Sequence, residues 1–267
     1  CSATIGPYKN ICTRNLAPKI LNKVKAITLR EPYSVDYLSS IGVTNPQIHL
    51  SADLTFLLEA SSIENLPGSN DAQKLGRPII GIVPTAMMHH VLKESDYISL
   101  MAELIETIVT DMNATVIMIT NTYQDESLTD SIYEKVHHHE RVKMLPFETS
   151  ASETKAIIGI CDAFICSRFH ALVASTAMGV PSLGIVAYSY NKFHGIIGRM
   201  MEQEEYLIDI DDSFEYDLFL EKLKDKTREL LKNSKDISNI LTERQKLVLE
   251  RGYLNGHLIK KIIEQQS

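Results

Sequence analysis

The strongest constraint on this chain is a rhythm of short apolar runs, each too brief for a helix, alternating with segments of helical spacing. Ala163-Phe164-Ile165-Cys166 is bounded like a buried strand. Ser167-Arg168-Phe169 breaks the run, and from His170 the pattern turns helical, with Leu172, Val173, Thr176 and Ala177 sharing a face. Gly179 and Pro181 stop that helix, the glycine just past its end and the proline beyond. Ser182 to Ala187 is the next short strand. A strand–helix–strand unit of this kind predicts a parallel sheet with crossover helices.

The same alternation fills the second half. Strands are expected at Pro78 to Val83, Thr115 to Ile119, Val142 to Leu145 and Tyr206 to Ile210. Between them, Ser95 to Val109 has an amphipathic spacing (Ile98, Met101, Ala102, Ile105, Ile108), Leu128 to Val136 is helical, and Ser152-Glu153-Thr154 caps a helix running to Ile158. The first half repeats the pattern on a smaller scale. A strand end precedes the Gly6-Pro7 turn, helical spacing covers 13–22, Val24 to Leu29 is a strand, Ser34 caps a helix that Gly42 ends, and Gln47 to Leu50 is another strand. Residues 61–77 are polar and aperiodic, which reads as a linker. The expected class is α/β, with two Rossmann-like parallel-sheet domains facing across a cleft, at 1–60 and 78–232. Residues 233–267 form a C-terminal helical segment with a break near Asn233-Ser234. The chain begins at Cys1 on the tail of a strand, so we take it as a fragment whose N-terminal sheet is incomplete.

Bulk properties narrow the function classes. A formal net charge of -7 argues against a nucleic-acid partner held by bulk electrostatics. No apolar run approaches the roughly 20 residues of a membrane span. Four cysteines (Cys1, Cys12, Cys161, Cys166) lack zinc spacing and read as reduced thiols of a cytosolic protein. His89-His90 and His137-His138-His139 are adjacent residues that point different ways, so a metal site is not expected. Neither a Walker loop nor a Rossmann glycine fingerprint is present.

The chemistry concentrates where strands give way to helices, the edge at which open α/β sheets bind ligands. Ser167, Arg168 and His170 occupy one such corner. Arginine offers a planar fork for phosphate or carboxylate, a helix start favours anions, and a histidine beside both should stay neutral and able to move protons. The plainer reading pairs Arg168 with a carboxylate and makes His170 a core histidine. The next loop of that kind, Ala187 to His194, can bring Lys192 as a second cation, with Tyr188, Ser189 and Tyr190 as partners for sugar hydroxyls; the plainer reading, which the loop taken alone favours, is an ordinary solvated loop with a snorkelling lysine. Arg30, at the equivalent strand end of the first half, either points across the cleft toward His170 or forms a surface salt bridge.

These residues resemble a family. "CDAFICSRFHALVASTAMGVPSLGI" is similar to the "aD.vigsRfHalv.a...GvP.igi" signature of the polysaccharide pyruvyl transferases. "IGP" at 5–7, "ITLREPYSVDYLSSIGV" with "SADLTFLL" at 27–58, and "YSYNKFHGIIGRM" at 188–200 agree in order. The glycine-rich turn with which the family usually opens is not seen ahead of the IGP segment, and with it part of the acceptor side of the cleft is expected to be missing. The resemblance implies a glycosyltransferase-B-like fold and transfer of an enolpyruvyl unit from phosphoenolpyruvate to a saccharide of an exported or cell-surface polysaccharide, giving a pyruvate ketal. His170 and Arg168 would be catalytic, and Arg30, Ser167, Lys192, Tyr188 and Ser189 would bind substrate. No cofactor or metal is implied, because arginine and lysine can neutralise the leaving phosphate. Lipid- and nucleotide-linked acceptors both stay open. The implied location is cytoplasmic, with a peripheral position at the inner membrane face also open. The alternatives are a sugar-nucleotide glycosyltransferase on the same fold and a catalytically silent glycan-binding protein.

Overall fold

The structure is a computed structural model that describes residues 1–63, 76–145, 149–211 and 213–265. In the first half, α1 (Ile11–Leu21) starts at Asn10, whose side chain accepts the N–H groups of Cys12 and Thr13. Then come β1 (Ala26–Leu29), α2 (Pro32–Ser40) and β2 (Gln47–Leu50). β1 and β2 pair in parallel, and Ala3 bridges Leu29 on the other side of β1. This small sheet encloses a core of Ile27, Leu29, Leu38 and Val43. Phe56 and Leu57 fall in a single 3-10 turn, Leu54–Leu57, capped by Asp53.

The second half carries the main core. Its elements are β3 (Ile79–Val83), α3 (Glu94–Thr110), β4 (Thr115–Ile119), α4 (Glu126–Lys135), β5 (Val142–Leu145), α5 (Ala151–Ile158), β6 (Ala163–Cys166), α6 (Phe169–Ala177), β7 (Ser182–Val186) and β8 (Leu207–Asp209). All six strands run parallel in the order β5-β4-β3-β6-β7-β8. That is the doubly wound arrangement, whose order reverses between β3 and β6. Every residue of β3, β4, β6 and β7 is buried, as expected of strands covered on both faces. Each such isoleucine, leucine or valine contributes about 1.5–3 kcal/mol by leaving water.

Several elements differ from the sequence expectation at their ends. α5 is capped by Ser150 rather than Ser152, in a reciprocal pair with Glu153 that satisfies two backbone N–H groups. Ala187 has left β7 by the time the chain turns. The expected linker, 61–77, falls largely on residues 64–75, which lie outside the described residues. Beyond β7 a single turn, Tyr190–Lys192, leads into a π-helical segment, Phe193–Met200. The chain ends in α7 (Tyr216–Lys232) and α8 (Ser234–Glu264), which break at Asn233. α8 returns to the first half: Gly252 packs on Leu57, and the buried Asn255 amide donates to Ser2 and Ser51 at 2.9 and 2.6 Å.

Candidate active site

The reversal between β3 and β6 places the loops after these two strands beside each other. β6 ends at Cys166, and Ser167 continues it by donating its N–H to the Val83 carbonyl at the end of β3. The Ser167 side chain is fully buried and its hydroxyl bonds that of the buried Tyr97 at 2.9 Å, while its carbonyl accepts the Tyr188 hydroxyl at 3.1 Å. It therefore ties the strand end together from within, its buried hydroxyl engaged by Tyr97. Burial pushes the Tyr97 phenol well above its ordinary value, so this pair stays uncharged.

Arg168 is the N-cap residue of α6 and supplies no side-chain cap, so the first N–H groups of that helix stay uncapped by it. Its guanidinium is engaged with Asp125, which lies in the turn after β4. Nε donates to Oδ2 at 2.8 Å and Nη2 to Oδ1 at 2.6 Å, and Nη2 also reaches Thr122. Asp125 is fully buried and accepts further bonds from Ala86 N–H and the Thr122 hydroxyl. The plainer reading of Arg168 thus holds for one edge of its fork. Among the described residues, Nη1 has no partner and remains available.

α6 is buried at every residue except His170. A helix buried on nearly every side belongs to a core, so one exposed imidazole on it is conspicuous. Neither ring nitrogen of His170 has a partner among the described residues; its ring meets only Phe169, edge-on at 5.3 Å. Four charged groups act on it: Asp53, Arg30, Lys192 and Arg168. Desolvation and the three cations hold its pKa below the usual imidazole value, against the opposing pull of Asp53. The ring is neutral at pH 7.

Arg30 closes the site from the first half. It lies just past the end of β1, donates Nε to Thr4 at 2.8 Å, pairs Nη1 with the buried Asp53, and sits over the Phe169 ring at 5.5 Å. Asp53 also caps the Leu54–Leu57 turn, accepting Thr55 N–H at 2.9 Å. Lys192 is half-buried, and its ammonium has no hydrogen bond or ion pair among the described residues. Desolvation and the Arg30 charge lower its pKa, with Asp53 opposing. Tyr188 is anchored on Ser167 and its phenol is raised mainly by burial. Ser189 is exposed in the left-handed region at φ 53, a conformation a serine rarely holds without reason. The two halves touch through Gly195, where a Cβ would lie 2.8 Å from Glu31 Cβ and 3.2 Å from the Tyr33 ring. Only glycine permits that approach, which sets the spacing between Arg30 and Lys192.

The structure thus gathers His170, Arg168, Arg30 and Lys192 into one cationic corner, with Tyr188 and Ser189 at its margin and Ser167 beneath it. Asp53 and Asp125 were passed over in the sequence, although they decide how the arginines are held. Each sits in a polar turn just after a strand, which was their only local signal. A family model described as polysaccharide pyruvyl transferase matches residues 1–190. The chain belongs to the polysaccharide pyruvyl transferase family. The matched stretch of this pyruvyl transferase family member includes Arg30, Arg168 and His170, while Lys192 lies just beyond it.

Comparison with curated proteins gives no match. Solved structures are similar in fold at low identity. The α,α-trehalose 6-phosphate synthase of Burkholderia multivorans is 8% identical with a TM-score of 0.61, covering 96% of this chain and 64% of its own. MnaA of S. aureus, solved with UDP, is 8% identical at TM-score 0.60, covering 95% and 65%. TarM is 13% identical at TM-score 0.52, covering 94% of this chain and 48% of its own. The chain therefore spans about half to two thirds of the length of these structures. The fold is the glycosyltransferase-B-like α/β fold expected from the resemblance.

Proposed function

We propose that this corner binds phosphoenolpyruvate and transfers its enolpyruvyl carbon skeleton to two hydroxyls of a saccharide, forming a pyruvate ketal. The observation that carries the reading is His170, an unpaired neutral imidazole exposed on an otherwise buried helix and ringed by three cations. The donor carries a phosphate and a carboxylate on one carbon, so its recognition calls for several cations around a small volume. Arg30, Lys192 and the free edge of Arg168 meet that demand, and the start of α6 adds partial positive charge. In the overall reaction the acceptor loses two hydroxyl protons. One ends on the donor's methylene carbon, which becomes a methyl group, and the other leaves with the phosphate. Two C–O bonds form at the ketal carbon as the bond to phosphate breaks. Neutral His170 suits the transfer of a hydroxyl proton, and the cations offset the charge of the departing phosphate. Family membership supports a polysaccharide-modifying transferase; the donor and the saccharide acceptor, free or linked to lipid or nucleotide, belong to this proposal, as does a cytoplasmic site of action.

The test is phosphate release from phosphoenolpyruvate with candidate glycans, followed by mass detection of the ketal. His170→Ala should lower turnover about 10²–10⁴-fold while leaving thermal unfolding unchanged, since the side chain is exposed and unbonded. Strict dependence on a nucleotide sugar would replace this reading with glycosyl transfer. Glycan binding without turnover of either donor would make the protein a binding module.

A further inference from the structure

Beside the cationic corner lies a group of side chains that the proposed chemistry does not use. Tyr190 is 51% exposed, yet its ring is not loose. It stacks on the His194 imidazole with centroids 3.8 Å apart and planes 22° from parallel. His194 is itself buried and fixed through both ring nitrogens, Nδ1 to Glu204 at 2.6 Å and Nε2 to Asp209 at 2.9 Å. Tyr33 stands at 6.4 Å, tilted by 59°, so the two phenol rings make an open angle.

We infer that Tyr190, backed by His194 and flanked by Tyr33, is a stacking platform for one sugar ring of the acceptor. The inference rests on the reading that the acceptor is a saccharide. A pinned aromatic ring loses little freedom when a ligand lands on it. Its negative face suits the C–H edges that a pyranose presents on its apolar side. The polar groups at the rim agree: the Glu204 and Asp209 side chains are about half exposed and keep acceptor capacity beyond their single bond to His194. Carboxylates accept from sugar hydroxyls, and the exposed Arg199 guanidinium, 3.9 Å over the Tyr33 ring, donates to sugar oxygens, so the rim offers both halves of the hydrogen bonding a sugar ring needs. Position supports the same assignment. Tyr190 is two residues from Lys192 and Tyr33 three from Arg30, and Gly195 clamps these two segments together, so a stacked sugar lies next to the donor corner.

The chain contains no tryptophan, so Tyr190→Trp installs a single indole at the platform. Its emission is titrated with the methyl glycosides of glucose, galactose, mannose and N-acetylmannosamine, and separately with UDP and with phosphoenolpyruvate. A saturable shift with at least one glycoside is expected, and Tyr190→Ala should raise the acceptor KM about tenfold with the phosphoenolpyruvate KM unchanged, whereas Tyr190→Phe should retain the wild-type acceptor KM. A response to UDP alone, or to nothing while phosphoenolpyruvate still binds by calorimetry, overturns the platform. So does an equal loss of donor and acceptor affinity in Tyr190→Ala. A glycoside response without phosphoenolpyruvate binding upholds the platform and removes the proposed donor instead.

Discussion

The loops after β6 and β7 leave the same edge of the same sheet side by side, yet they are built in opposite ways. The first is mostly sealed: Ser167 is bonded to Tyr97 and Arg168 is held bidentately by a buried carboxylate, which leaves the His170 ring and the Arg168 Nη1 without a partner among the described residues. The second is open, with Ser189 in a left-handed conformation, Tyr190 half exposed and Lys192 unpaired among the described residues. The family match covers the first loop and reaches the second only as far as Tyr190, and the physical contrast separates framework from contact. A charge whose bonds are all met internally fixes geometry, whereas a cation with unmet donors has something left for a ligand. Arg30 stands between the two cases, bonded to Thr4 and Asp53 but near His170.

The largest effect should come from unsealing the first loop. Asp125→Ala leaves the Arg168 guanidinium and the Ala86 N–H without their buried partner, and about 3–5 kcal/mol of stability should be lost in denaturant unfolding. Replacing both charges, Arg168→Met with Asp125→Leu, should cost less than Asp125→Ala alone, because no buried charge is then left unpaired. Wild-type unfolding of Asp125→Ala would show that the loop is not held in this way.

Next comes the open loop. Lys192→Ala should leave unfolding within about 0.5 kcal/mol of wild type, yet weaken phosphoenolpyruvate binding roughly 10- to 100-fold, the worth of one charged hydrogen bond. Calorimetric titration checks this, and unchanged affinity would remove Lys192 from the donor site. The two variants together invert each other: one alters stability through a bonded charge, the other affinity through a free one.

How much of this contrast was legible in the sequence follows from range. The strands of the main sheet were readable, in several cases to the residue, because burial on both faces leaves continuous apolar runs such as Ala163–Cys166. The cap of α5 was misplaced although Ser150 and Glu153 show the S-x-x-E spacing, since Ser152 also qualifies as a cap by type. The corner itself was visible as a strand-to-helix junction carrying Arg168 and His170. What could not be read was which donors are already spent. Asp125 meets Arg168 across 43 residues and Asp53 meets Arg30 across 23, and no local period encodes such pairings. The direction of the Ser167 hydroxyl was equally hidden, because it depends on Tyr97, 70 residues away.

A smaller effect distinguishes the charges around His170. Its pKa lies below the ordinary value, so the imidazole is neutral at pH 7 and protonates only as the pH falls through the lowered value. If it accepts a proton from the acceptor, kcat/KM should decline on that acid side. Lys192→Ala removes a cation that disfavours protonation, so the acid limb should move to higher pH. Asp53→Asn removes the opposing anion and should move it lower. Limbs that move together, or not at all, would mean that His170 is not the group being read.

The smallest effect reads the seal directly, through thiols. Cys1 and Cys12 are exposed, whereas Cys161 and Cys166 are buried. Burial pushes the Cys161 thiol up to about 12 and raises that of Cys166 still further, so neither forms thiolate at pH 8. Cys166 ends β6, and its Sγ donates to the Arg168 carbonyl at 3.4 Å, so its protection depends on the sealed loop. Native protein should therefore give two fast-reacting thiols of the four with an aromatic disulfide reagent, the buried pair following only on unfolding. In Asp125→Ala, Cys166 should become reactive before Cys161, because the Arg168 segment covers the first and not the second. Simultaneous labelling of both would mean that Asp125 stabilises the whole sheet rather than this loop. Rapid labelling of Cys166 in the unmodified chain would mean that the loop after β6 opens as freely as the one after β7.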